Sequence, residues 1–200
     1  MQHPFTCIVS GPTGSGKSVF TLKLIEHAQQ IITPPPERIM YCYGEYQKVL
    51  DNYSNVESHD GLPDLITFDG KSRTLLVLDD LMTNTDDRVV DFFTKISHHR
   101  NLSVVYHTQN IFYKNKQSRT LSLNSHYLVL FKNACDASQV ANLARQMYPG
   151  KSAFMIEAFK NATNAPYGYL LIDLKQETDD NFRLRTDLFP GDNLFVYVRK

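Results

Sequence analysis

The stretch Phe5-Thr6-Cys7-Ile8-Val9-Ser10-Gly11-Pro12-Thr13-Gly14-Ser15-Gly16-Lys17-Ser18 decides the fold. An apolar run over Phe5–Val9 leads into GPTGSGKS, and a helix-like stretch follows from Val19 to Gln30. The pattern G-x-x-x-x-G-K-[ST] is met in full, in the strand-to-helix context that its chemistry requires. A strand turning sharply into a helix leaves backbone N–H groups and the positive helix end aimed at one spot, where a polyphosphate fits. Gly11, Gly14 and Gly16 let the backbone curl closely around phosphates, with Pro12, Thr13 and Ser15 completing the cradle. Lys17 can reach the β- and γ-phosphates of ATP, and the Ser18 hydroxyl can ligate Mg2+. The plain alternative is a Gly/Ser-rich turn before a helix; the flanks and a second motif weigh against it.

That second motif is Leu75-Leu76-Val77-Leu78-Asp79-Asp80, an apolar run ending in two carboxylates. It reads as a Walker B strand, buried on both faces of a parallel sheet, with its carboxyl end where such sheets place ligands. Asp79 is then a Mg2+ ligand, directly or through water, and Asp80 orients or deprotonates the water that attacks the γ-phosphate. An Asp-Asp pair opening a turn is the competing reading. A third apolar strand, Leu102 to Tyr106, ends in His107-Thr108-Gln109-Asn110. A Gln at that end can bond both the attacking water and the γ-phosphate, so Gln109 is the candidate sensor, against the reading of an ordinary Gln/Asn turn.

Composition sets the frame. A chain of 200 residues, 42% apolar and 21% charged, is enough for one well-buried α/β domain over 1–200, with the tail from Pro190 expected to pack loosely. Lys plus Arg and Asp plus Glu are 21 each, so no overall basic field announces nucleic acid and any DNA contact must be local. Cys7, Cys42 and Cys135 are widely spaced without a C-x-x-C pair and read as reduced core thiols, which argues against zinc and for an intracellular protein. No stretch approaches membrane-spanning length, so a soluble chain without a membrane partner is expected.

Strands are predicted at 5–10, 38–43, near 65–68, at 74–79, 102–106, 127–131 and 167–174. Helices are predicted at 17–30, 45–52, 88–98, 136–147 and 152–161, and 182–188 extends or completes the sheet. Alternating strands and helices predict a mostly parallel central sheet with helices on both faces. In P-loop proteins whose Walker B strand is separated from the loop strand, the strand carrying the sensor residue fills the position between them, and by that resemblance the Gln109 strand is expected there.

The combination GPTGSGKS, LLVLDD and SVVYHTQN resembles the FtsK/HerA superfamily of P-loop translocases, which are of the ASCE type. It is more closely similar to the genome-packaging ATPases of eukaryotic DNA viruses and of Polinton-like (Maverick) elements, including adintovirus-type elements. The stretches 97–101, 124–127 and 144–149 look like the same branch. The resemblance implies a homo-oligomeric ring, a hexamer or pentamer, that hydrolyses ATP at subunit interfaces and drives double-stranded DNA into a capsid, with capsid or portal proteins as partners. It also implies an arginine finger from a neighbouring subunit, with Arg100 as first candidate and Arg119 as second. Many members end Walker B in Asp-Glu, whereas this chain has Asp79-Asp80.

DNA contact is expected from loops facing the pore, and Tyr113-Lys114-Asn115-Lys116-Gln117-Ser118-Arg119 joins basic and aromatic residues directly after the sensor. Lys114 and Lys116 there would bind phosphates without reading bases; a solvated surface loop is the alternative. His98-His99 lacks a third ligand in the sequence and is not taken as a metal site. Two other functions stay open: a nucleotide-gated assembly or scaffold protein with little turnover, and a small-molecule kinase, against which stands the lack of an Arg-rich lid.

Overall fold

The computed structural model describes residues 1–79, 81, 87–97, 100–111 and 116–199. Its strands are β1 (Thr6–Ser10), β2 (Arg38–Tyr43), β3 (Val56–Asp60), β4 (Thr74–Asp79), β5 (Leu102–Thr108), β6 (Tyr127–Phe131), β7 (Tyr169–Asp173), β8 (Leu184–Thr186) and β9 (Phe195–Tyr197). The α-helices are α1 (Lys17–Glu26), α2 (Ala28–Ile31), α3 (Asp87–Asp91), α4 (Lys116–Leu123), α5 (Ser138–Met147) and α6 (Ser152–Ala162), and α3 continues as a π-helical segment over Phe92–Ile96.

All nine strands form one sheet in the order β3-β2-β4-β5-β1-β6-β7-β8-β9. β3 through β6 pair in parallel, and the sheet changes to antiparallel pairing at β6–β7 and stays so to β9. Leu75, Leu76, Val77 and Leu78 of β4 are fully buried, which is why their run carries no polar alternation. Burying each such side chain contributes about 2 kcal/mol.

Side chains alternate between two cores. Cys7, Val9, Tyr41, Val77 and Val105 face α1, α2 and the late residue Phe189. Ile8, Met40, Leu76, Val104 and Leu128 face α3, α4, α5 and α6. Helices on both faces and a mostly parallel sheet are thus as expected, and β5 does lie between β1 and β4.

Four expectations need correction. The segment Leu65–Thr67 is a 3-10 turn, not a strand, and the strand in this region is β3, where the sequence reading places no element. The segment at 45–52 is helical only over Lys48–Asn52, as a 3-10 turn. The tail beyond Pro190 is not loose throughout: β9 joins the sheet edge through β8, and Tyr197 Oη donates to Asn161 Oδ1 at 2.7 Å. Cys135 is exposed, unlike the buried Cys7 and Cys42, and all three are free thiols. No helix among the described residues is long and apolar enough to cross a membrane.

Candidate nucleotide site

Ser10, buried at the end of β1, is followed by a loop whose glycines each meet a geometric demand. A Cβ on Gly11 would lie 2.6 Å from Ser15 Oγ and 2.7 Å from Phe131 Cβ, so only glycine lets the loop close there. Gly16 has φ 108° and caps α1 in a left-handed conformation that L side chains rarely adopt. The first N–H groups of an α-helix carry its positive end, and α1 begins at this loop. Lys17 folds back, its Nζ donating to Gly11 O at 2.7 Å and Pro12 O at 3.0 Å. Ser15 Oγ is buried with no hydrogen-bond partner, an orphan polar atom inside the same loop.

Across the hollow stands Asp79, at the carboxyl end of β4 and 4% exposed. Three side chains donate to it: His107 Nδ1 to Oδ1 at 2.5 Å, and Tyr41 Oη at 2.5 Å and Gln47 Nε2 at 2.8 Å to Oδ2. Burial, the largest single influence, would raise its pKa, but the contacts with His107, Tyr41 and Gln47 together outweigh it, and the carboxyl is held at about 2. The Tyr41 phenol is pushed well above its ordinary range by burial first and the Asp79 charge second, so it remains a donor. Ser18, on the first turn of α1, acts on the same phenol in the opposite sense, as the smallest of the influences on it.

His107 is 1% exposed and reaches α1 a second time, its Nε2 lying 2.7 Å from Thr21 Oγ1. One imidazole thus bonds the carboxylate of β4 through Nδ1 and the threonine hydroxyl of α1 through Nε2. β2, β4, β5 and α1 are therefore tied together by side chains at the point where the phosphates belong. Tyr41, Gln47, Thr21 and His107 carry no role in the sequence reading. One signal was present: a histidine in a strand buried on both faces must find polar partners.

The structure brings Thr13, Gly14, Gly16, Lys17, Ser18, Asp79, His107 and Gln109 to the walls of one cleft of about 360 Å3. The donor set fits a nucleotide with its cation: a closed loop with helix N–H groups and Lys17 for phosphates, a hydroxyl and an ionised carboxylate for Mg2+. A larger cavity of about 420 Å3 lies between the end of β6 and helices α5 and α6, lined by Leu130, Val140, Ile156 and Phe159 and bordered by Gly11 and Gln109. Its apolar walls suit no phosphate, so the smaller cleft is the candidate site.

Gln109 is exposed and stands at the border of both hollows. Arg100 stands at the amino end of β5, where its Nη1 donates to Leu65 O at 2.6 Å and Phe68 O at 2.7 Å. Arg119 is exposed on α4. Asp80, Lys114 and the pair His98-His99 lie outside the described residues, as does the side chain of Lys116, whose backbone opens α4.

No family model and no curated protein sequence matches the chain. Among solved structures, the genome packaging NTPase B204 from Sulfolobus turreted icosahedral virus 2, in complex with AMPPCP, is similar at a TM-score of 0.58 and 13% identity, over 88% of this chain and 95% of that one. The same protein in complex with ATP-gammaS gives 0.54 at 14% identity over 88% and 95%, and with sulfate 0.53 at 15% over 88% and 94%. Likeness at these identities is likeness of fold. With the loop and Asp79 in place, the chain has the mixed α/β fold of the P-loop NTPases.

Proposed function

We propose that this chain is the ATP-hydrolysing subunit of a double-stranded DNA translocase, an ASCE-type P-loop ATPase of the FtsK/HerA genome-packaging branch that moves a viral or virus-like transposon genome into a capsid. The observation that carries the reading is the placement of β5 between β1 and β4, with Gln109 on the walls of the cleft that Lys17 and Asp79 also line. The fold shared with a viral genome packaging NTPase supports it.

In this reading ATP lies along the loop, and Lys17 exchanges the Gly11 and Pro12 carbonyls for β- and γ-phosphate oxygens. Mg2+, when bound, would screen the phosphate charge, with Ser18 and Asp79 as the residues to hold it. Asp80 orients the attacking water and Gln109 bonds that water and the γ-phosphate. An arginine from the neighbouring subunit of a hexameric or pentameric ring neutralises the transferring phosphoryl group, an effect of about 10³–10⁵ in rate. Arg119 takes precedence over Arg100 for that role, because Arg100 is held by two carbonyls. Lys114 and Lys116 would follow the DNA backbone without sequence preference, and capsid or portal proteins would complete the machine.

The test is steady-state ATP hydrolysis with and without long double-stranded DNA. DNA should stimulate turnover, and Lys17→Ala, Asp80→Asn and Arg119→Ala should each remove it by about 100-fold or more. Tight ATP binding without turnover at any DNA or salt concentration would overturn the motor and leave a nucleotide-gated assembly protein.

A further inference from the structure

The phosphate cleft has one wall that phosphate chemistry does not explain. Among the described residues, the two large apolar side chains most exposed along it are Val19, 58% exposed on the first turn of α1, and Tyr167, 68% exposed in the loop between α6 and β7. Leaving an aromatic ring and a branched aliphatic chain in water beside a binding cleft forgoes burial that folding would otherwise gain, and such surface marks a contact.

Tyr167 is also held where it stands. Its backbone is at φ 61°, a left-handed conformation uncommon for an aromatic residue. Its Cβ and Cδ1 back onto Gly16, each 3.2 Å from where a Cβ on that glycine would lie. The next residue, Gly168, donates its N–H to Ala165 O at 3.1 Å and has no room for a side chain, since a Cβ would sit 2.4 Å from Ala162 O. An unusual backbone conformation kept at the rim of a ligand cleft is a mark of function.

The sheet order gives the direction. Asp79 ends β4, two strands to one side of β1, and Tyr167 stands just before β7, two strands to the other side. At about 4.8 Å per strand, each lies about 10 Å from the loop strand, at the same end of the sheet. A nucleoside triphosphate on the loop with its γ-phosphate toward Asp79 must direct its base toward Tyr167.

We infer that Tyr167 is the base platform of this cleft: the nucleobase stacks on its ring, with Val19 as the facing wall. The inference rests on the nucleotide reading above and adds its selectivity. Stacking tolerates any base but rewards ring area, so purine triphosphates are preferred over pyrimidine triphosphates, with ATP and GTP close to each other.

Binding of ATP and of inorganic tripolyphosphate, measured by calorimetry on wild type, Tyr167→Ala and Tyr167→Phe, tests it, with circular dichroism confirming that each variant folds. Tyr167→Ala should weaken ATP about tenfold and leave tripolyphosphate unchanged, and Tyr167→Phe should restore ATP binding. The chain contains no tryptophan, so Tyr167→Trp supplies a single tryptophan, excited to the red of the remaining tyrosines, whose emission ATP should quench and tripolyphosphate should not. ATP binding unchanged in Tyr167→Ala overturns the inference while leaving the nucleotide site intact, and so does an equal loss of ATP and tripolyphosphate, which would make the ring a prop for Gly16. Wild type that binds neither ligand overturns the site itself.

Discussion

A carboxylate that accepts three side-chain hydrogen bonds inside a protein is held in one rotamer and one ionisation state, and Asp79 is so held by His107, Tyr41 and Gln47. The arrangement has a sign in acid. The folded carboxyl titrates at about 2, below its ordinary value of 3.8, so it stabilises the fold above about pH 4 and that contribution is lost as pH falls toward 2. The loss amounts to about 2 kcal/mol. Urea unfolding of wild type and Asp79→Asn across this window should show a steeper decline in the wild type; parallel curves would contradict the account. His107→Ala should leave Asp79 Oδ1 and Thr21 Oγ1 without their partner, at a cost of about 2–4 kcal/mol in chemical denaturation. A cost below about 0.5 kcal/mol would mean that the buried pair carries no net stability.

Elements differ in how openly the chain declares them. The bounds of β2, β4 and β6 are those expected, because strands buried on both faces must be written as unbroken apolar runs. β3 reads Val-Glu-Ser-His-Asp and was not legible, since an edge strand takes its hydrogen bonds from one neighbour and its side chains stay largely in water. Leu65-Ile66-Thr67 has strand-like composition, yet it turns, with the carbonyls of Leu65 and Phe68 directed at Arg100. In the site, the phosphate loop was legible because its chemistry is local. The cluster around Asp79 was not, because Tyr41 and His107 meet it only once β2 and β5 flank β4. The α6–β7 loop offers a test at this scale. Gly168→Ala pushes a methyl group against Ala162 O and should destabilise the fold by about 2 kcal/mol, lowering Tm by about 4–8 °C in a thermal melt. An unchanged Tm would show that the loop yields.

At the scale of the whole molecule, the proposed ring motor would share each site between two chains. Lys17→Ala and Arg119→Ala should each be inactive alone, yet a mixture should regain part of the DNA-stimulated turnover, because one variant supplies an intact arginine to the other's intact loop. A mixture as inactive as its components would place Arg119 outside the interface. Formal neutrality, with 21 charges of each sign, means that any DNA affinity must be local, so in the proposed motor stimulation should fall steeply from about 50 to 200 mM salt as released counterions lose their advantage. The central position of β1 has a consequence for biosynthesis. Thr6 pairs with Val104 and Cys7 with Tyr127, so β1 leaves the ribosome before β5 and β6 and waits for both before either of its edges is satisfied. The phosphate loop is translated ahead of the strands that flank its own and is built only once they arrive, and a nascent chain halted before Phe131 emerges should be unable to hold ATP at all.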